Sequence, residues 1–205
     1  MAIIQGTTGD DHGAGLPALV GGAEADSLFG LTGDDVLEGN AGNATLGGGA
    51  LSDLLFGNDG DDFINGGFGA DRANGGAGAA PFFHLGVADH ATDRIQDYVA
   101  AQRDVRVFGN SGANPGQFNK NFANVVGAGQ AGVQEAFLTC RPTGQISWVL
   151  IDGAAQPAIH LSIAGQVRDL LLPRRLNGPV GWSNPERGKN GCKSGPRGAG
   201  QGDIG

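Results

Sequence analysis

GGAEADSLF GLTGDDVLE GNAGNATLG GGALSDLLF GNDGDDFIN GGFGADRAN GGAGAAPFF, residues 21–83, decides the fold. Units of nine begin at residues 21, 30, 39, 48, 57, 66 and 75 without a break in register. Glycine favours the first, second and fourth positions, where it lets the backbone take conformations closed to residues with a Cβ and turns carbonyl oxygens toward one point. Asp favours the sixth position. The eighth is apolar: Leu28, Leu37, Leu46, Leu55 and Ile64. Each unit therefore reads as a tight turn followed by a very short strand whose apolar side chain points inward. Two units make one coil. The seven units predict about 3.5 coils, a stack of roughly 17 Å at the usual strand spacing. An earlier unit, GTTGDDHGA from Gly6, is separated from the rest by GLPALV (15–20), three residues under length.

The spacing also dictates a chemistry. A sixth-position carboxylate beside clustered carbonyls is a hard oxygen donor set, and Ca²⁺ takes six to eight such oxygens at flexible geometry. Units two apart stack on the same side of the coil. One side carries the units starting at 30, 48 and 66, with Asp35, Asp53 and Asp71 all present; the other reads Asp26, Ala44, Asp62, Ala80. The candidate ligands of a Ca²⁺ cofactor are Asp35, Asp53, Asp71, Asp26 and Asp62, joined by turn residues Gly30, Thr32, Gly48, Ala50 and Gly66. The pairs Asp35/Asp53 and Asp53/Asp71 rank as the tightest, because both of their loops offer a carboxylate. Residues 1–80 carry a net charge of −11 over a thin apolar core, so without the ion this segment is expected to be disordered. Metal binding would then be folding free energy. Ala44, Ala80, Leu51 in a glycine position and Ala73 in a core position depart from the pattern and support the alternative of a degenerate Gly/Asp-rich linker.

These nonapeptides resemble the G-G-x-G-x-D-x-U-x repeat of RTX (repeat-in-toxin) proteins, specifically over 21–80 and more weakly over 6–20. TDRIQDYVAAQRDVRVFG (92–109) and EAFLTCRPTGQISWVLIDG (135–153) resemble the β region that follows the repeats in serralysin-like proteases and other type I-secreted proteins. The resemblance implies an all-β chain built on a right-handed parallel β-roll. It also implies Gram-negative origin, export unfolded through a type I secretion apparatus, and folding outside the cell on meeting calcium. The sequence MAIIQGTTGDD has no basic stretch followed by an apolar run, which agrees with an uncleaved C-terminal export signal. Asp169-Leu170-Leu171-Leu172 looks like the start of such a signal.

The expected organisation is a calcium-binding roll at 1–80, a β-rich cap at 81–172 and a disordered basic tail at 173–205. The net charges of the last two are −1 and +4. Strands are expected at 82–86, 105–109, 135–140, 146–152 and 158–164 from their β-branched, aromatic and aliphatic content, with Arg141-Pro142-Thr143-Gly144 turning between two of them. Asp89, Asp93, Asp97 and Asp104 are candidate extra ligands but read better as solvated surface acids. Four Pro and nine Gly fill residues 173–205 with no periodicity. The overall charge of −8 argues against nucleic acid as a partner, and no stretch nears the 18 or so apolar residues of a membrane span. Two cysteines are too few for a disulfide framework.

No enzyme is expected. HExxH, G-x-S-x-G and Walker motifs are absent from the sequence, and His84 and His90 read as structural residues on no common face. The expected partner set is calcium and the type I apparatus, with an extracellular polysaccharide or cell surface as a further candidate. Two other classes stay open: a non-catalytic module detached from a larger secreted enzyme (a serralysin-like protease or alginate epimerase), and a calcium-dependent adhesive or matrix protein.

Overall fold

The computed structural model describes residues 1–12, 17–87, 90–110, 112–142 and 144–172. The strands of the repeat region are β1 (Ile3–Gln5), β2 (Leu19–Val20), β3 (Ser27–Thr32), β4 (Val36–Glu38), β5 (Thr45–Ala50), β6 (Leu54–Phe56), β7 (Phe63–Phe68) and β8 (Arg72–Asn74). Beyond them come β9 (Pro81–His84), β10 (Asp93–Ile95), β11 (Val105–Phe108), β12 (Phe118–Ala123), β13 (Glu135–Cys140), β14 (Gln145–Leu150), β15 (His160–Ile163) and β16 (Gln166–Asp169). The helical elements among the described residues are three short 3₁₀ turns, and no described helix is long and apolar enough to cross a membrane.

Odd and even repeat strands separate into two sheets, ordered β1-β3-β5-β7-β9-β11-β15-β16 and β12-β13-β14-β10-β8-β6-β4-β2. β1 pairs β3 in parallel at a step of 24 residues, and from β2 to β8 all pairs are parallel and advance by 18: Leu28 beside Leu46 beside Ile64 in one sheet, Leu37 beside Leu55 beside Ala73 in the other. The expected β-roll is thus the observed architecture. Its core is two facing columns of eighth-position side chains. Leu28, Leu37, Leu46 and Leu55 are fully buried and Ile64 and Phe82 nearly so, each burial stabilising by roughly 1.5–3 kcal/mol. Ala73, which departs from the pattern, keeps its place in the column.

The repeats end near residue 80, but the parallel stack does not. β9 pairs β11, and β11 pairs β15; β8 pairs β10, and β10 pairs β14, all parallel. The seven parallel strands from β1 to β15 in the first sheet span about 29 Å at 4.8 Å per rung, well above the height that the nonapeptides alone predict. Backbone hydrogen bonding needs no glycine at the turns. The coils can therefore continue with longer, irregular corners once the nonapeptide pattern has lapsed. The core also widens there, with Tyr98, Phe108, Leu138, Trp148 and Leu150 all buried. Arg106 occupies the column position between Phe82 and Leu161. It is fully buried, its guanidinium lies 4.5 Å from the Tyr98 ring centroid, and it donates to the His160 carbonyl.

All five strands expected beyond residue 80 form. β13 and β14 are an antiparallel hairpin across the Arg141–Gly144 connection. β12 and β16 each add an antiparallel strand to the end of a sheet. The expected disordered tail, 173–205, lies outside the described residues. Leu170 and Leu171 of the expected export signal pack against the core, and Asp169 accepts the amides of Ile159 and Leu171 at 3.0 and 2.8 Å.

Glycine's freedom matters most at the second and fourth positions of the turns, where φ is positive: 129° at Gly33, 118° at Gly49 and 138° at Gly69. Leu31 and Leu51 stand at equivalent places and are held at 82° and 81°. What reads as decay in the sequence is therefore absent from the backbone path, which the neighbouring coils impose on a side chain that disfavours it. The left-handed conformation costs a non-glycine residue about 1–2 kcal/mol, and Leu51 is exposed and loses little burial on truncation. Leu51→Gly is expected to stabilise the calcium-loaded protein by about 1 kcal/mol after glycine's entropic cost, read as a higher urea midpoint. A lower midpoint would show that Leu51 contributes packing.

Candidate metal centre

The two sets of turns form two flanks. On the first, every sixth-position aspartate reaches back to the preceding coil. The Asp35 carboxylate accepts the Asp11 amide at 2.7 Å, Asp53 accepts Asp35 at 2.9 Å, Asp71 accepts Asp53 at 2.9 Å, and Asp93 accepts Asp71 at 3.4 Å. All five carboxylates are buried. The structure therefore brings Asp35, Asp53 and Asp71 together as expected and adds a residue at each end. Asp11 joins across a 24-residue step and Asp93 across a 22-residue step.

On the second flank Asp62 accepts the Ala44 amide at 2.7 Å and Asp104 accepts the Ala80 amide at 2.9 Å. Ala44 and Ala80 are buried where a carboxylate would stand. Asp26 and Asp104 differ from Asp62 in having both oxygens taken, by the Ala2 and Gly22 amides in Asp26 and by the Ala80 and Val99 amides in Asp104. Reading Asp93 and Asp104 as surface acids is corrected, since both are buried; they hold the corners of the coils after the repeats. Asp97 is half-buried and accepts the amides of Gly75 and Gly76 at 2.8 and 2.6 Å. Asp89 lies outside the described residues.

With one oxygen committed to the ladder, the other decides the chemistry. Oδ2 of Asp35, Asp53, Asp62 and Asp71 is buried without a hydrogen-bond partner, a cost of roughly 1–3 kcal/mol each or more if ionised. Each faces the first-position glycine of its own turn. A Cβ at Gly30, Gly48 or Gly57 would collide with that Oδ2 and with the carbonyl of the next first-position glycine, Gly48, Gly66 or Gly75 respectively. Only hydrogen fits at these places, so unpaired carboxylate oxygens and carbonyls converge between successive coils. Orphaned anionic oxygens beside carbonyls are the donor set that a hard cation requires. The other predicted turn residues are less committed: exposed Thr32 donates its hydroxyl to the Thr8 carbonyl, and the Ala50 carbonyl already accepts the Gly33 amide.

Electrostatics says the same. Burial raises the carboxyls of Asp35, Asp62 and, well above the usual range, Asp93. Burial, with the neighbouring carboxylates adding, pushes Asp53 up to about 7; burial alone pushes Asp71 to about 6. Asp26 is lowered instead, by the Gly22 and Ala2 amides. Two full charges 4.8 Å apart repel by about 3.5 kcal/mol even at an effective dielectric of 20, so the inner ladder needs protons or cations to be stable.

Residues 18–46 and 47–79 match the family model of the RTX calcium-binding nonapeptide repeat (4 copies). These segments are RTX calcium-binding repeats. No curated protein matches the chain. The ligand of RTX repeats is Ca²⁺, which fits the converging oxygens between the coils. The family match ends at 79, one coil before the parallel stack leaves the 18-residue step.

One site escaped the sequence altogether. His84 and His90, read as sharing no face, have ring centroids 4.1 Å apart, and with Asp93 they present one ligand atom each within 4.8 Å of one another. No periodicity reveals that the two rings meet. Burial drives His84 down to about 3 and His90 to about 4, so both rings are neutral at physiological pH.

Proposed function

We propose that this chain is a secreted calcium-binding protein whose roll folds when Ca²⁺ fills the spaces between its coils. The carrying observation is the set of buried, unpartnered Oδ2 atoms on Asp35, Asp53, Asp62 and Asp71 inside RTX turns. Asp35, Asp53 and Asp71 would hold ions on the first flank, with the carbonyls of Gly48 and Gly66. Asp62 would serve the second flank with the Gly75 carbonyl, and Asp26 would have to exchange an amide to take part. Calcium supplies the positive charge that the stacked carboxylates lack, so the roll and its ions form together. Extracellular calcium modules work at about 10⁻⁴–10⁻³ M. Such affinity would leave the chain unfolded during passage through a type I channel and fold it outside.

Far-UV circular dichroism during a calcium titration tests this reading. A coil-to-β transition between about 0.1 and 1 mM calcium, reversed by a chelator and not reproduced by magnesium, is expected. A spectrum indifferent to calcium would remove the proposal.

A further inference from the structure

We infer that His84, His90 and Asp93 form a second kind of metal site, one for a single borderline-soft transition ion of the Zn²⁺ class, at the end of the first flank. The register explains its position. β7 and β9 align Ile64 with Phe82 and Asn65 with Phe83, which sets His84 beside Gly66. His84 therefore stands where the three preceding coils have first-position glycines, and Asp93 where they have sixth-position aspartates. The turn that elsewhere gathers oxygens here gathers two imidazoles and one carboxylate. Two His and one acid are a common three-ligand set for zinc, while calcium prefers oxygen throughout.

Three features mark the cluster as more than a buried polar corner. All three side chains are at least 95% buried, with 1%, 1% and 5% exposure. His90 Nδ1 is buried without a hydrogen-bond partner, which an ordinary structural histidine avoids. The His84 ring is also held in the manner of a metal ligand. Its Nδ1 accepts the Gly86 amide at 3.0 Å, which leaves Nε2 to carry the proton toward the Ala91 carbonyl at 3.3 Å. An ion on Nδ1 would displace only the Gly86 amide, and Nε2–H would keep the carbonyl partner typical of metal-bound imidazoles. Trp148 (5.1 Å from His84 between ring centroids), Phe108 (6.0 Å) and Phe68 (5.6 Å from His90) wall the cluster with aromatic surface.

The test uses the full chain saturated with calcium, so that the oxygen sites are filled before Zn²⁺ or Co²⁺ is added. One equivalent of Zn²⁺ should bind in calorimetry, and Co²⁺ should give visible d–d absorption of nitrogen ligation. His160→Gln should leave both unchanged, whereas His84→Gln and His90→Gln should each weaken binding roughly tenfold or more while the calcium-induced dichroism persists. Should either variant fail to fold, the unsubstituted site still reports. In a Trp182→Phe background, Co²⁺ should quench Trp148 emission at one equivalent. Absence of quenching, or Zn²⁺ affinity untouched by both His84→Gln and His90→Gln, would overturn the assignment. Either result would leave the calcium reading standing, because that reading is tested without transition metal.

Discussion

Asp53→Ala is expected to cost the protein two calcium positions at once and to raise the calcium midpoint of folding by roughly tenfold or more. Asp53 is the central rung of the first flank. Its Oδ1 accepts the Asp35 amide, its own amide donates to Asp71, and its Oδ2 is unpartnered beside Gly48. Alanine removes the anionic ligand shared by the spaces above and below, and it orphans the buried Asp35 amide at about 1–3 kcal/mol. Asp53→Asn separates the two losses, because an amide oxygen can still accept the Asp35 N–H. It should recover folding in part while leaving calcium stoichiometry reduced. The second flank contains the converse experiment, since Ala44 occupies a sixth position between Asp26 and Asp62. Ala44→Asp should add calcium uptake there. Equal stoichiometry in the parent, Asp53→Ala and Ala44→Asp proteins would refute the ranking of the two flanks.

The second large effect is a reversal of pH dependence on adding calcium. The folded carboxyls of Asp53 and Asp71 titrate near about 7 and about 6, above the ordinary 3.8. A group raised by folding contributes stability that is fully present below its unfolded value and is lost as pH climbs through its folded value. Asp35, Asp62 and Asp93 are shifted the same way by burial, and Asp26 alone among the repeat carboxylates the other way. In chelator, the β signal should therefore be greater at about pH 4 than at about pH 8, with the loss centred between about 6 and 7. With calcium present, ions compete with those protons, so the calcium midpoint should rise roughly tenfold or more from about pH 8 to about pH 5.5. A chelated protein whose β content grows with pH would show that the carboxylates are not sequestered in the free roll.

Much of this was legible in the residues. The nine-residue step determines which side chains enter the core, because every turn repeats the same path and returns the eighth residue to the same column. It equally determines which aspartates share a flank. The less legible features share one physical cause: stacking depends on backbone pairing, and backbone pairing is indifferent to side chains. Hence the coils run on through Arg94-Ile95 and Val105–Phe108 with no glycine pattern to announce them. β12 (FNKNFA) and β16 (QVRD) form as edge strands without an apolar alternation. Asp93 and Asp104 are ladder members at steps of 22 and 24 residues, which a search at 18 passes over. Arg106 in a core column could be foreseen only by knowing that Tyr98 and the His160 carbonyl would meet it. The His84–His90 encounter lies beside buried Trp148, 5.1 Å from His84 between ring centroids, and no residue spacing announces it.

The strands that end the two sheets have a consequence for how such a molecule lives at high concentration. A parallel coil offers the next chain a template of the same direction and spacing, which is the geometry of fibre growth. β16 breaks it by running antiparallel to β15, so an incoming coil would meet a reversed edge there; in the other sheet the reversed strand is β13, and β12 outside it returns to the coil direction. β12 and β16 also present Lys120, Asn119 and Asn121 on one side and Gln166 and Arg168 on the other, side chains that disfavour a dry seam. The repeats are a polymer's design held to a finite length, and the stop is built from two short edge strands of largely polar side chains.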